Sequence, residues 1–300
     1  MALSSVGDST YRGGVRAHGV LSDIPEAGTS DHVCWVYDDD AAFDRAVQEF
    51  LAGGLERGDR VLCVGERVIE RLHGLSLSAG DVPTLIAAGA VETQTLAQAY
   101  AAAGPFRTGN QLSYYAAETR RALAEGYRGL RVVADVSVLA ADPVTRAELI
   151  RWEQVAAGFI AQAPGLTALC AYSSTPAGEA LADVASVHPL VRGPESLPPF
   201  RVFVEDGHVS LAGSLDTFTA DRLARVLASS PVGAEWAVLD LRRVEFVDVA
   251  ASRAIARWAQ DLSARAVRLE VRGASPLLRR MWHVLALDEI APVTFAGDAA

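Results

Sequence analysis

The chain has 300 residues, 50% hydrophobic and 21% charged, a soluble-type composition long enough for two globular domains. Its formal net charge of −10 argues against a nucleic-acid or acidic-membrane surface, since phosphates and anionic lipids recruit basic patches. All 27 basic side chains are arginine, which excludes Schiff-base chemistry through an internal lysine and a phosphate loop carrying its own lysine. No run approaches the length of a membrane-spanning helix. The opening MALSSVGDSTYRGGV has no apolar signal core, so a cytoplasmic setting is expected. Three widely spaced cysteines, Cys34, Cys63 and Cys170, give no disulfide framework.

Residues 1–30, rich in Gly and Ser, read as an irregular lead-in. HVCWVY (His32–Tyr37) reads as a strand. Phe43, Val47, Phe50 and Leu51 then recur at helical spacing, and Gly53-Gly54 are expected to stop that helix. RVLCVG (Arg60–Gly65) is a second buried strand, VETQTL (Val91–Leu96) a weaker one, and LRVVADVSVL (Leu130–Leu139) the clearest. Asp142-Pro143 opens a helix with Pro at its first position, and LTALCAY (Leu166–Tyr172) is another buried strand. Strands alternating with helices predict a parallel sheet covered on both faces.

Gly193 to Pro199 has linker composition. Beyond it, FRVFVED and HVSLAG predict a hairpin around Asp206-Gly207. A helix is predicted over Asp216 to Ser229, with Ala220, Leu223, Ala224 and Leu227 on one face. In AVLDLRRVEFVDVAAS (Ala237–Ser252) a strand, a short loop and a second apolar run lead to a helix that starts at Asp248. Ala251, Ile255, Trp258 and Leu262 mark that helix, followed by the strand VRLEVRG, the helix SPLLRRMWHVL and the strand PVTF. This β-β-α-β-α-β-α series makes a compact α/β sandwich.

VSLAGSLDTFTADRL, AVLDLRRVEFVDVAAS and VRLEVRGAS, in that order, give residues 200–297 a resemblance to the STAS domain of anti-sigma factor antagonists. The resemblance implies docking to an anti-sigma factor of the histidine-kinase ATPase fold, with Asp216, Asp248, Val249, Ala250, Ala251 and Ser252 at the contact loop. In that family the loop reads D-S-S-G, and a phosphorylated Ser blocks docking by adding about −1.5 to −2 charges. Here Asp248 is followed by Val249, Ala250 and Ala251, so no phosphoacceptor stands at the family's position, and Ser252 falls inside the first helical turn.

HVCWVYDDDAAFDRAVQEFLAGGLERGDRVLCVG, LRVVADVSVL, Trp152-Glu153 and LCAYSSTP followed by VHPLV make residues 31–193 similar to the MEDS sensory family, related in outline to RecA-type ATPases. The two resemblances together imply an α/β protein, a mostly parallel RecA-like three-layer sandwich followed, after a linker at 194–199, by a smaller STAS domain. A phosphate loop needs glycines, a Lys and a hydroxyl after its strand; Gly65-Glu66-Arg67-Val68-Ile69-Glu70 supplies none beyond Gly65, and no catalytic residue is assigned. A pocket is expected at the carboxyl ends of the strands, drawing on His32, Cys34, Trp35, Tyr37, Asp135, Glu153, Tyr172 and His188. The cysteine spacing is not that of a zinc knuckle, so buried cysteine is the simpler reading and no metal or cofactor is assigned. The expected function is a non-enzymatic signalling protein with a small-molecule ligand in the first domain. A degenerate nucleotide site or a metal or haem protein is the alternative, and apolar helix faces allow a homodimer without specifying one.

Overall fold

The computed structural model describes residues 19–20, 30–103, 106–162, 165–177, 180–193, 198–205, 207–290 and 292–297. Apart from 19–20 and 30, the lead-in lies outside the described residues, as do linker positions 194–197. The first domain runs β1 (Gly19–Val20), β2 (His32–Tyr37), α1 (Asp40–Arg57), β3 (Arg60–Val64), α2 (Glu66–Leu72), α3 (Val82–Ala87), β4 (Val91–Gln94), α4 (Leu96–Ala103), α5 (Thr108–Ala124), β5 (Leu130–Asp135), α6 (Ser137–Ala141), α7 (Pro143–Gln162), β6 (Leu166–Ser173), α8 (Ser174–Ala177), α9 (Ala180–Ala185) and β7 (Leu190–Arg192). Its strands form one sheet in the order β1-β7-β2-β6-β5-β3-β4. Every pairing in it is parallel. The second domain runs β8 (Phe200–Glu205), β9 (His208–Leu215), α10 (Ala220–Ser229), β10 (Trp236–Val247), α11 (Val249–Ala264), β11 (Arg268–Arg272), α12 (Pro276–Val284), α13 (Leu287–Ile290) and β12 (Val293–Phe295). Its sheet, ordered β12-β11-β10-β9-β8, is parallel except for the β8–β9 hairpin.

The large sheet is covered on both faces, which is why its strands read as continuous apolar runs. Val33, Trp35, Val61, Cys63 and Val133 pack under α1 to α3. Leu62, Val64, Val132 and Ala134 pack under α4, α5 and α7. In α1 the buried positions Phe43, Ala46, Val47, Phe50, Leu51 and Gly54 form one stripe, and Asp39 caps the helix by accepting from Ala42 N at 2.7 Å.

Three expected boundaries differ. α1 does not stop at Gly53-Gly54 but continues to Arg57 and ends on Gly58 at φ 81°. The glycines serve packing: a Cβ on Gly54 would sit 2.7 Å from the Arg131 side chain, which lies across the helix and donates to Phe50 O at 2.8 Å. β5 ends at Asp135 because that carboxylate accepts from Ser137 N at 3.0 Å and turns the chain into α6. α10 starts at Ala220, since Asp216 folds its own turn by accepting from Phe218 N and Thr219 N, each at 3.0 Å.

The two domains share one apolar core. Ile150, Tyr172, Val184 and Val187 of the first belong to the same buried cluster as Phe200, Val202, Leu223 and Leu227 of the second. Polar contacts seal the junction. Val202 N donates to Ser186 O at 2.8 Å, and Arg201 Nη1 donates to Pro189 O at 3.1 Å. Arg225 reaches both oxygens of Asp183 at 2.9 Å, with Arg222 at 3.7 Å.

Candidate functional site

At the carboxyl end of β3 a single residue, Gly65, joins strand to α2. Gly65 has φ 104°, and a Cβ there would lie 2.9 Å from Asp135 O. A turn this short leaves no backbone cradle for phosphate. Asp135, which the sequence places at a ligand pocket, spends its carboxylate on Tyr37 Oη at 2.7 Å and Ser137 Oγ at 2.5 Å. Burial, reinforced by the Asp135 charge, pushes the Tyr37 hydroxyl far up.

β2 does not gather His32, Cys34, Trp35 and Tyr37 into one place, because side chains alternate faces along a strand. Trp35 and Tyr37 belong to the core under α1, where their rings lie 5.4 Å apart and Tyr37 meets Phe43 edge-on at 4.8 Å. His32 and Cys34 take the opposite face, toward β6 and α7.

On that face the structure brings together residues from four separate segments. His32 is on β2, Glu153 on α7, Cys170 and Tyr172 on β6, and His188 follows α9. Glu153 occupies the buried stripe of α7 between Ile150 and Ala156 and is 1% exposed. A carboxylate in such a place needs partners. Its Oε2 lies 3.0 Å from His32 Nε2 and 3.3 Å from His188 Nε2, and its Oε1 accepts from Tyr172 Oη at 2.7 Å. Cys170 Sγ lies 3.4 Å from His32 Nε2 and 3.5 Å from Glu153 Oε2. Burial acts to raise the Glu153 carboxyl, yet the two imidazoles, His188 foremost, hold it well below the usual carboxylate range. Burial first, then the Glu153 charge, pushes the Cys34, Cys170 and Tyr172 protons to higher pKa.

His188 is oriented from behind. Its Nδ1 lies 2.8 Å from Val184 O, and a carbonyl only accepts, so Nδ1 carries the proton. Nε2 therefore faces the Glu153 carboxylate, at 3.3 Å. Of the five residues in this cluster, His32, Glu153, Tyr172 and His188 stand out in the sequence as ligand residues. Cys170 does not, because a cysteine in an apolar strand reads as a small hydrophobe.

His32, Glu153 and Cys170 line a cavity of about 50 Å³. It lies between the sheet and α4, α5 and α7, and reaches the carboxyl ends of β3 and β5 at Val64 and Val136. The other walls are mostly apolar and include Leu96, Phe106, Tyr115 and Trp152. Gln111 also lines it, and its buried Nε2 has no hydrogen-bond partner. The cavity is about a third of the roughly 150 Å³ that holds benzene in a protein interior, so it suits a molecule of a few heavy atoms.

In the second domain β10 is one strand from Trp236 to Val247, with its register against β9 shifted between Asp240 and Arg243 and between Val244 and Phe246. The separate loop expected there is absorbed by those irregularities. Asp248 is the N-cap of α11, accepting from Ala251 N at 2.9 Å and from Thr217 Oγ1 at 2.7 Å. Partial burial acts to raise its carboxyl, but these hydrogen bonds hold it below the usual range. Val249 is 38% exposed and Ala250 is partly exposed. Ala251 and Ser252 are buried, and Ser252 Oγ donates back to Asp248 O at 2.7 Å. Burial takes these two out of any contact surface, so as docking residues they are corrected to packing residues. Asp216 folds the turn that exposes Phe218, which is 93% open to solvent. Phe218 is not among the residues that stand out in the sequence.

Fold and site together define a two-domain α/β protein, with a buried polar cluster beside a cavity in the first domain and exposed apolar loop residues in the second. The family model described as "MEDS: MEthanogen/methylotroph, DcmR Sensory domain" matches residues 31–189. That is over half of the chain, and the chain belongs to this family. A model described as "Mlab, STAS domain" matches residues 203–293, so a STAS domain follows the sensory one. No curated protein matches the chain. Among the described residues, no helix is long and apolar enough to cross a membrane.

Proposed function

We propose that this protein is a non-enzymatic signal transducer. The first domain binds a small, largely apolar molecule in the cavity beneath α4, α5 and α7. The STAS domain docks an anti-sigma factor of the histidine-kinase ATPase fold, and no phosphoryl group switches that contact. The observation that carries this reading is the shared use of two segments. α7 supplies Glu153 to the cluster and packs against β8 and α10 of the STAS domain. The 183–192 segment supplies His188 and, two residues earlier, the Ser186 carbonyl that Val202 N binds. A shift of either segment on ligand binding is thus felt by the STAS domain.

Phe218 and Val249 flank Asp248 as exposed apolar groups, a patch of the kind that marks a protein contact. The absence of a hydroxyl at 249 to 251 supports a contact without phosphorylation, and the buried, hydrogen-bonded Ser252 hydroxyl supports it further. The test is binding of the full chain to candidate anti-sigma factors, with Phe218→Asp and Val249→Asp as probes. Each is expected to weaken binding by more than about tenfold, a loss of at least about 1.4 kcal/mol, with an unchanged melting temperature. Kinase treatment is expected to leave residues 248–252 unmodified. Failure to bind every kinase-fold partner, or a phosphopeptide at Ser252, overturns the reading.

A further inference from the structure

We propose that His32, Glu153, Cys170 and His188 form a four-coordinate Zn²⁺ site inside the first domain. Each offers one donor atom, and the four donors lie within 4.8 Å of one another. Four separations read as edges of one polyhedron: 3.0 and 3.3 Å from Glu153 Oε2 to the two imidazole nitrogens, and 3.4 and 3.5 Å from Cys170 Sγ to His32 and Glu153. Zinc bonds of about 2.0–2.2 Å to N and O and about 2.3 Å to S, set tetrahedrally, require edges of about 3.3–3.6 Å. These four separations stand within a few tenths of an ångström of the tetrahedral edge, and the remaining ones lie within 4.8 Å.

Three further observations point the same way. His188 Nε2 is buried and makes no hydrogen bond, although its ring is locked by Val184 O so that this nitrogen faces the carboxylate at 3.3 Å. A cation held between the two would satisfy both. Next, two ligands are braced from behind, His188 by Val184 O and Glu153 by Tyr172 Oη, as metal ligands generally are. Finally, the charges close. One carboxylate and one thiolate neutralise a divalent ion, so a fully buried site carries no net charge. A mixed nitrogen, sulfur and oxygen set in tetrahedral array favours zinc over magnesium or calcium, which take oxygen ligands. The rival state is metal-free, with a proton on His188 Nε2 shared toward Glu153.

This assignment goes beyond the signalling reading and does not depend on it. The experiment measures metal content of the purified full chain, then replaces the metal with Co²⁺ under reducing conditions. One zinc per chain is expected. The cobalt form is expected to show the strong visible absorption of tetrahedral Co²⁺ and a near-ultraviolet thiolate-to-cobalt band. Cys170→Ser removes the near-ultraviolet band. Tyr172→Phe, which keeps the ring and loses only the bracing hydroxyl, weakens metal affinity by about tenfold to a hundredfold, and circular dichroism checks that both variants fold. A chain that takes up neither zinc nor cobalt overturns the proposal. So does metal held equally tightly by both variants and by His188→Gln, which would place the ion elsewhere. Neither result bears on anti-sigma binding, so the two readings fail separately.

Discussion

Asp248 shows how one side chain can shape a surface without belonging to it. Its carboxylate closes the N-terminus of α11 and ties Thr217 of the neighbouring turn to it. Losing an N-cap of this kind costs about 1 kcal/mol. Asp248→Ala is accordingly expected to lower stability by about that much in urea denaturation, while Asp248→Asn, still an acceptor, loses less. The sign of the pH effect follows from the depressed carboxyl. Its contribution is complete above the unfolded aspartate value of about 3.9 and fades as pH falls through the lower folded value. The stability gap between wild type and Asp248→Asn should thus narrow on acidification below about pH 4. A gap that widened there would contradict the assignment. Gly65 is the other residue with a sharp expectation. Its φ of 104° and the 2.9 Å approach of Asp135 O leave no room for a methyl group. Gly65→Ala should destabilise by about 1–3 kcal/mol, measured by the same denaturation.

At the scale of elements, what the sequence conveys follows from how each element is buried. β2, β3 and β6 are covered on both faces, so their apolar runs are unambiguous. The end of α1 is not legible, because Gly53-Gly54 answers to Arg131, distant in the chain, and a local reading sees only a helix breaker. β10 reads as two runs because its second half is largely exposed and slips register against β9. The polar cluster is partly legible for the same reason. A His or Glu on an apolar face is conspicuous, but only the sheet order places β2 beside β6, and with it Cys170 next to His32. The junction between α9 and α10 is likewise silent in sequence. There Asp183 is 0% exposed while Arg225 reaches in from the surface. Removing the arginines should therefore do more harm than neutralising the acid. Arg222→Ala with Arg225→Ala leaves a buried charge without a partner, at a cost of about 3–5 kcal/mol, whereas Asp183→Asn leaves two arginines free to turn to water. Equal losses in chemical denaturation would show that Asp183 is not held by these two side chains.

The whole molecule is organised around a continuous core that runs from the cluster face of the large sheet through α7 and α9 into β8 and α10. Inter-domain contacts of ordinary linked domains are smaller and more polar, and leave the domains free to move. Here the buried apolar cluster is continuous between the domains, and hydrogen bonds and an ion pair cross the junction. The two domains are consequently expected to unfold together, as one calorimetric transition whose van't Hoff and calorimetric enthalpies agree. Among the described residues, this junction connects the cavity and cluster with the domain that carries the Asp248 loop. A ligand can shift a partner's affinity only by as much as its own affinity differs between the two states. Loosening the junction with Arg222→Ala and Arg225→Ala should split the single transition into two and, in the same protein, abolish any effect of first-domain ligands on STAS binding. Two resolved transitions in the unaltered chain would mean that the domains are thermodynamically independent, and the STAS surface would then have to act without instruction from the cavity.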